Sequence, residues 1–369
     1  MTGFEDLKEA KEILEKTLFL PMPQMLVEKD VLISQTLGKE NIVGVGIGEK
    51  VTKGKPTGYV CVKVYVVAKA PMSKVKEETR VPVEVDGIKT DVEEVGVVRA
   101  SKREDRRLKK GMKKETVPIF NQNQKRLRPA YGGASISHEE VTAGTLGCLV
   151  KRVKSKEIGK DMKREEEFER IKERHRDKEG VFILSNNHVI ANSNRAENGD
   201  KILQPGVYDG GVSPDDIVAE LHDFIPVDFE KINEVDAAIA KPLSPWKKYV
   251  SPLILEIGEV KGEKEPELGM LVKKSGRTTG LTSGKITGLD ATFNIGYDRR
   301  IARFRGQIVI SPRKKGVAFS QGGDSGSLIV NEENSAVGLL FAGNEDGSIT
   351  IANPINVVFE KLKIKIMKD

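Results

Sequence analysis

Cysteine, histidine, aromatic residues and long apolar runs are all scarce in this 369-residue chain, and each scarcity removes a class of function. Two cysteines, Cys61 and Cys148, are too few for a disulfide framework and are expected as buried thiols in separate parts of the fold. Of the four histidines, His138, His175 and His222 lack the spacing of a metal pair with another His or Cys. No metal and no organic cofactor are therefore expected. No stretch is long and apolar enough to cross a membrane, and Met1 to Lys8 lacks the basic-then-apolar pattern of a signal peptide. The expectation is a soluble, cytoplasmic protein without membrane contact.

Charge, by contrast, is abundant at 31% of residues, with the heavy use of Lys and Glu found in thermophile proteins. The net charge is +6, but it is not spread evenly. Residues 101–128 hold 11 Lys or Arg against 3 Asp or Glu, so this run outweighs the whole and the remainder is slightly acidic. The run has hardly an aromatic residue to stack on bases, which argues against a nucleic-acid partner and for a solvated linker.

Three parts follow from the patterning. Residues 1–100 carry a helix over 4–18, with Phe4, Leu7, Leu14 and Leu18 at helical spacing, and then a small α/β domain. Tyr59–Val66 alternates as a strand, and residues 81–88 read as a hairpin turning at Asp86-Gly87. Gly44-Val45-Gly46-Ile47-Gly48 lacks both the G-x-G-x-x-G spacing and the P-loop lysine, and reads as a glycine-containing strand. Residues 101–130 form the basic linker. Residues 131–369 are a β-rich domain whose strand at 145–150 is followed by a charged, largely helical insertion at 151–180. Short apolar strands with Gly- and Pro-rich turns continue to Pro354, and a final helix is expected over 357–362.

The chemistry lies in this last part. His188 follows the apolar run Val181–Leu184, Asp236 opens Asp236-Ala237-Ala238-Ile239, and Ser325 sits in Gln321-Gly322-Gly323-Asp324-Ser325-Gly326-Ser327. A serine is a weak nucleophile at neutral pH and needs a base. His188 can take its proton, and Asp236 can hold the imidazole in the required tautomer. The glycine-rich turn lets the N–H groups of Gly323 and Ser325 converge on a developing oxyanion.

At these residues the chain resembles the chymotrypsin-like, or trypsin-like, serine peptidase family in its bacterial form. Gly323-Asp324-Ser325-Gly326 resembles its nucleophile motif, and Asn186-Asn187-His188-Val189 its histidine motif. Ser275-Gly276-Arg277-Thr278-Thr279-Gly280 resembles a stretch of the secreted α-lytic relatives. The separations, 48 residues from His188 to Asp236 and 89 from there to Ser325, suit His and Asp on one barrel and Ser on the next. The resemblance implies a mainly β fold: two antiparallel six-stranded β-barrels, chymotrypsin-like, preceded by the small α/β domain. It implies a serine endopeptidase acting on protein or peptide substrates. It also implies an Arg277–Asp324 ion pair shaping the oxyanion hole, and a substrate pocket with Phe319 as floor and Ala342 and Gly343 as wall. With no Asp at position 319, a preference for small or apolar residues before the cleaved bond is expected. Phe341 falls where many members place a serine hydroxyl beside the aspartate, so Asp236 is expected to rely on backbone N–H groups.

Two other readings stay open at this point: a weakly active or inactive binding scaffold on the same fold, and an enzyme that mainly processes its own residues 101–130. The sequence also leaves a homo-oligomer open.

Overall fold

The fold was taken from a computed structural model, which describes residues 3–19, 39–101, 121–153, 180–298 and 300–367. Most of the expected basic linker and of the expected helical insertion lies outside the described residues. Strands dominate, and the described residues contain three α-helices.

The first helix, α1 (Phe4–Leu18), has the expected bounds. Its buried stripe is Leu7, Ala10, Leu14 and Leu18, while Phe4 stays exposed. Each of the three leucines contributes about 1.5–3 kcal/mol by leaving water. The stripe packs on a sheet of β1 (Ile42–Thr52), β2 (Lys55–Val66), β3 (Glu84–Val85) and β4 (Ile88–Glu94), and β5 (Arg99–Ser101) follows. The expected hairpin is the β3–β4 pair, turning through Asp86 and Gly87, both at positive φ (48° and 78°). Two consecutive left-handed residues match the right-handed twist of the strands they join.

The first barrel is built from β7 (Ser135–His138), β8 (Gly144–Thr145), β9 (Cys148–Arg152), β10 (Val181–Ser185), β11 (Lys201–Leu203), β12 (Ile217–Phe224) and β14 (Ala238–Pro242). Before it comes β6 (Ala130–Gly132), and between β12 and β14 lies the short β13 (Ile232–Asn233). β8 and β9 are one bent strand interrupted only at Leu146-Gly147, with β7 against its first half and β10 against its second. From β10 the pairing runs to β14, β12, β11 and back to β7, antiparallel throughout. Six strands thus close on themselves, which removes every free edge.

Beyond β15 (Val250–Ile254) and β16 (Gly262–Glu263), the second barrel closes the same way. It uses β17 (Leu271–Gly276), β18 (Gly280–Tyr297), β19 (Arg300–Pro312), β20 (Leu328–Asn331), β21 (Ser335–Gly343) and β22 (Thr350–Pro354). The circuit is β17–β18–β19–β22–β21–β20–β17, again antiparallel. The helix α3 (Ile355–Leu362) follows, two residues longer at its start than expected, and then β23 (Ile364–Ile366). Val358, Phe359 and Leu362 of α3 join Cys148, Phe182, Leu184, Leu328 and Leu339 in one apolar core drawn from both barrels.

The β18–β19 hairpin is longer than its barrel needs, and β1 pairs with its outer part: Gly44 opposite Phe293, Ile47 opposite Leu289. One sheet therefore runs from the N-terminal region into the second barrel. Here the glycines of 44–48 find their use. A Cβ on Gly44 would lie 2.6 Å from the Phe293 ring, and one on Gly46 would lie 2.8 Å from the Ala291 Cβ. Missing side chains let the strand lie flat against bulky neighbours.

Candidate active site

His188 sits in the single-turn helix α2 (Asn187–Ile190), immediately after β10. The asparagines before it fix that turn. Asn186 Nδ2 donates to the Asp236 carbonyl at 2.7 Å, and Asn187 Nδ2 donates to the Ile225 carbonyl at 2.8 Å. Asp236 precedes β14 and is fully buried. Its Oδ2 lies 2.6 Å from His188 Nδ1, and its Oδ1 accepts the His188 backbone N–H at 3.2 Å. This geometry selects the tautomer with its proton on Nδ1 and leaves Nε2 free to act as a base.

The absence of a hydroxyl partner expected for Asp236 is corrected by the structure. The Tyr297 phenol donates to Asp236 Oδ2 at 2.6 Å from the end of β18. Phe341, where the resemblance implies a serine, packs on Phe304 (ring centroids 4.8 Å), which stacks on Tyr297 in turn. Burial, with the Asp236 charge second, pushes the Tyr297 pKa well above its ordinary value, so the phenol remains a donor.

Ser325 reaches the same place from the second barrel. It is 8% exposed and His188 is 6% exposed, and both line a cleft of about 770 Å³. The Ser325 hydroxyl donates to the Phe341 carbonyl at 3.4 Å, a long and therefore weak contact. Gly323, at φ +98°, takes a backbone shape that a side chain would strain. Among the described residues no group accepts from the N–H of Gly323 or of Ser325, while the Asp324 N–H between them is tied to the Gln321 carbonyl. Two unengaged N–H groups flanking a nucleophile can receive an oxyanion.

Asp324 is held differently from the expectation. Arg277 does not pair with it. Its guanidinium forks onto Asp209 (Nε–Oδ2 2.8 Å, Nη2–Oδ1 2.5 Å) and lies over the Tyr208 ring at 4.7 Å. Asp324 instead accepts from the N–H groups of Thr278 (2.7 Å), Thr279 (3.2 Å) and Gln321 (2.9 Å), and from the Thr279 hydroxyl (2.7 Å). Its cation is Lys274, whose Nζ lies 3.5 Å from Asp324 Oδ2, both side chains being wholly buried. The reason is strand geometry. Lys274 points into the second barrel, whereas Arg277, beyond the end of β17, faces the first. Gly276 makes the room, since a Cβ there would lie 2.6 Å from Asp324 Oδ1. Burial lowers the Lys274 pKa, and the Asp324 charge opposes that fall.

Phe319 is likewise displaced from its expected role. It is fully buried among Val272, Ile286 and Ile310 inside the second barrel and does not line the cleft. Its neighbour Ser320 does, together with Ala342 and Gly343. The chain bends at Phe319, and the apolar ring takes the core side. Sequence reading also missed the wall made by Glu94 to Val97, Arg99 and Ala100. No local signal marks these residues, which arrive through the β1–β18 pairing and the pairing of β5 with β18 and β21. Away from the cleft, His138 pairs with Asp200 (3.1 Å). Among the described residues there is no His/Cys/Asp/Glu cluster suited to a metal. Cys61 and Cys148 are free and buried, and burial pushes their thiols up to about 11 and about 12.

No protein-family profile matches the chain, and no curated protein does. Solved structures do. Thermobifida fusca Protease A is similar at 18% identity and TM-score 0.42, over 65% of this chain and 98% of that one. Nocardiopsis protease is similar at 14% and 0.43, over 64% and 98%. The MamO protease domain of Magnetospirillum magneticum is similar at 12% and 0.35, over 64% and 97%. The two closed six-stranded barrels, with His188 and Asp236 on one and Ser325 on the other, are by their own strand registers a chymotrypsin-like fold carrying an added N-terminal region.

Proposed function

We propose that the chain is a serine endopeptidase, a hydrolase of peptide bonds. The observation that carries this reading is the buried Asp236–His188 pair facing Ser325 across one cleft, with two N–H groups beside the nucleophile unengaged. In the proposed reaction His188 Nε2 takes the Ser325 proton as Oγ bonds to the substrate carbonyl carbon. The carbonyl oxygen becomes an oxyanion held by the Gly323 and Ser325 N–H groups. Asp236 stabilises the imidazolium, which then protonates the leaving amine as the C–N bond breaks. Water, deprotonated by His188, attacks the resulting ester; the acid leaves and Ser325 recovers its proton. The oxyanion contacts form only as charge develops, so they lower the barrier rather than tighten ground-state binding.

Ser320, Ala342 and Gly343 bring no charge to this part of the cleft wall, which supports a small or apolar residue before the scissile bond over Lys or Arg. Two protonated, unpaired thiols fit a reducing compartment, and we assign the protein to the cytoplasm on that ground. Digestion of a peptide library with the full chain tests the reading, with Ser325→Ala as control. Cleavage after Ala, Val or Leu that vanishes in the control is expected. Cleavage after Lys or Arg would refute the pocket assignment, and no Ser325-dependent cleavage would refute the activity.

One observation favours a second reading, that the chain acts mainly on itself. Gly343 pairs with Thr350 on one edge and with Arg99 on the other, antiparallel, so β5 lies on the β21 edge beside Ser325 as a substrate strand would. Intact mass after storage separates the two, because self-cleavage leaves two fragments.

A further inference from the structure

We infer that the N-terminal sheet is a working part of the active site, acting through Tyr297 as the positioning residue for Asp236. The inference rests on the protease reading for its consequence but on separate contacts for its geometry.

Tyr297 and His188 share one oxygen. Asp236 Oδ2 accepts the Tyr297 hydroxyl at 2.6 Å and faces His188 Nδ1 at 2.6 Å. The Tyr297 ring stands edge-on to the imidazole, centroids 6.0 Å apart and planes at 82°. Among the described residues no other side-chain hydroxyl reaches the Asp236 carboxylate. The other two contacts of the carboxylate, ring Nδ1 on Oδ2 and backbone N–H on Oδ1, both come from His188 itself, so the phenol is the donor that fixes the carboxylate, and with it the histidine, to the second barrel.

Tyr297 needs support because it ends β18 at the tip of a hairpin. A lone two-stranded hairpin is marginal in water. Here the N-terminal region holds it at three levels. β1 pairs along Gly288 to Phe293. β5 lies beside the tip, with Arg99 opposite Gly296 and Ser101 opposite Tyr297, and the Gly296 N–H donates to the Val98 carbonyl at 3.1 Å. On the outer side, Lys11 of α1 pairs with Asp290 at 2.9 Å, and Arg303 donates to the Phe19 carbonyl at 2.7 Å. Packing follows the same route: Val43, Tyr65, Val95 and Val98 share one buried cluster with Phe293, Tyr297, Phe304 and Phe341. Four of the sixteen buried residues in the cluster around Asp236's donor are thus N-terminal in origin. An enzyme stripped of them, and of the β1 and β5 pairings, would lose the placement of the tyrosine.

A double-mutant cycle on the full chain tests this. Tyr297→Phe removes only the hydroxyl. Gly46→Val drives a side chain into Ala291, where a Cβ already lies 2.8 Å from its neighbour, and wedges β1 from β18. The readout is the saturating rate and half-saturating concentration of fluorophosphonate labelling, with melting temperature alongside. Tyr297→Phe is expected to slow the saturating rate about tenfold with the half-saturating concentration unchanged. Gly46→Val should slow it comparably in the native background and less than twofold when Tyr297→Phe is already present, since both act through one contact. Effects that multiply, or a Tyr297→Phe rate within twofold of native, would overturn the inference. If Gly46→Val does not fold, Val98→Ala takes its place in the cycle under the same criteria. The downfield proton resonance of the His188–Asp236 bond gives a reading independent of turnover. It should move in Tyr297→Phe even if the native chain labels nothing, an outcome that would sink the protease reading alone. A resonance that does not move would overturn the inference itself.

Discussion

Replacing Lys274 with Met removes the cation of a wholly buried pair while keeping an unbranched chain of similar length. Asp324 is then left with four donors, from Thr278, Thr279 and Gln321, and no positive charge. Removing one partner of a buried pair costs about 3–5 kcal/mol. The lower end applies here, because those four hydrogen bonds still favour the carboxylate. That cost falls on the residue between Gly323 and Ser325, and a shift of Asp324 that relieves it disperses their N–H groups, against the hold of Thr145 on both carbonyls. Loss of one oxyanion donor lowers turnover by about 10²–10³. Lys274→Met should therefore label with a fluorophosphonate at least a hundredfold more slowly than the native chain. Arg277→Met, which leaves Asp209 with the Ser135 hydroxyl and removes no contact to Asp324, should slow labelling much less.

The pH profile gives a second check. Burial lowers the Lys274 pKa below 10.5, so its ammonium, and with it the ion pair to Asp324, is lost on the alkaline side before a free lysine titrates. Between the folded and unfolded values the unfolded chain holds more protons. Lys274's contribution to stability therefore rises with pH in that window, although activity falls. Activity lost while the melting temperature holds is the expected signature. A near-native Lys274→Met beside a dead Arg277→Met would refute the reasoning and restore the arginine to the role that the resemblance implies.

Three further outcomes follow from the site and core. Phe319→Ala should lower stability by about 3–5 kcal/mol in denaturant titration and leave the cleavage preference unchanged, since the ring fills the second barrel; an altered preference with native stability would return it to the pocket. Cys61 and Cys148, protonated at neutral pH, should resist iodoacetamide at pH 8 in the folded chain and react on unfolding; rapid modification of the native protein would contradict their burial. Gly343→Val places a branched side chain on the cleft wall beside Ile349 and Ser320 and should raise the substrate concentration needed for half-maximal rate more than it lowers kcat.

How much of this could be read without coordinates depended on how local each signal was. Residues that share a turn or a strand end announced themselves. The glycines around Ser325, the apolar run before His188 and the alternation through the barrel strands are short-range patterns, and the barrels close as that alternation implies. What escaped was decided by direction or by distance along the chain. Lys274 and Arg277 lie three residues apart, and only the end of β17 determines which one faces Asp324. Phe319 and Ser320 are adjacent, and the apolar one turns to the core. Tyr297 lies 61 residues from Asp236 and carries no motif, because its part depends on how far a hairpin projects. The cleft wall at 94–100 depends on the pairing of β1 with β18 and of β5 with β18 and β21, which no single segment specifies.

The most direct test of the central claim is intact-protein mass after incubation of the full chain with a fluorophosphonate, with Ser325→Ala and Asp236→Asn beside it. The account predicts one adduct on the native chain, none on Ser325→Ala, and labelling slowed by orders of magnitude in Asp236→Asn, where the imidazole loses its anchor. No adduct on the native chain, or one that persists without Ser325, would contradict it.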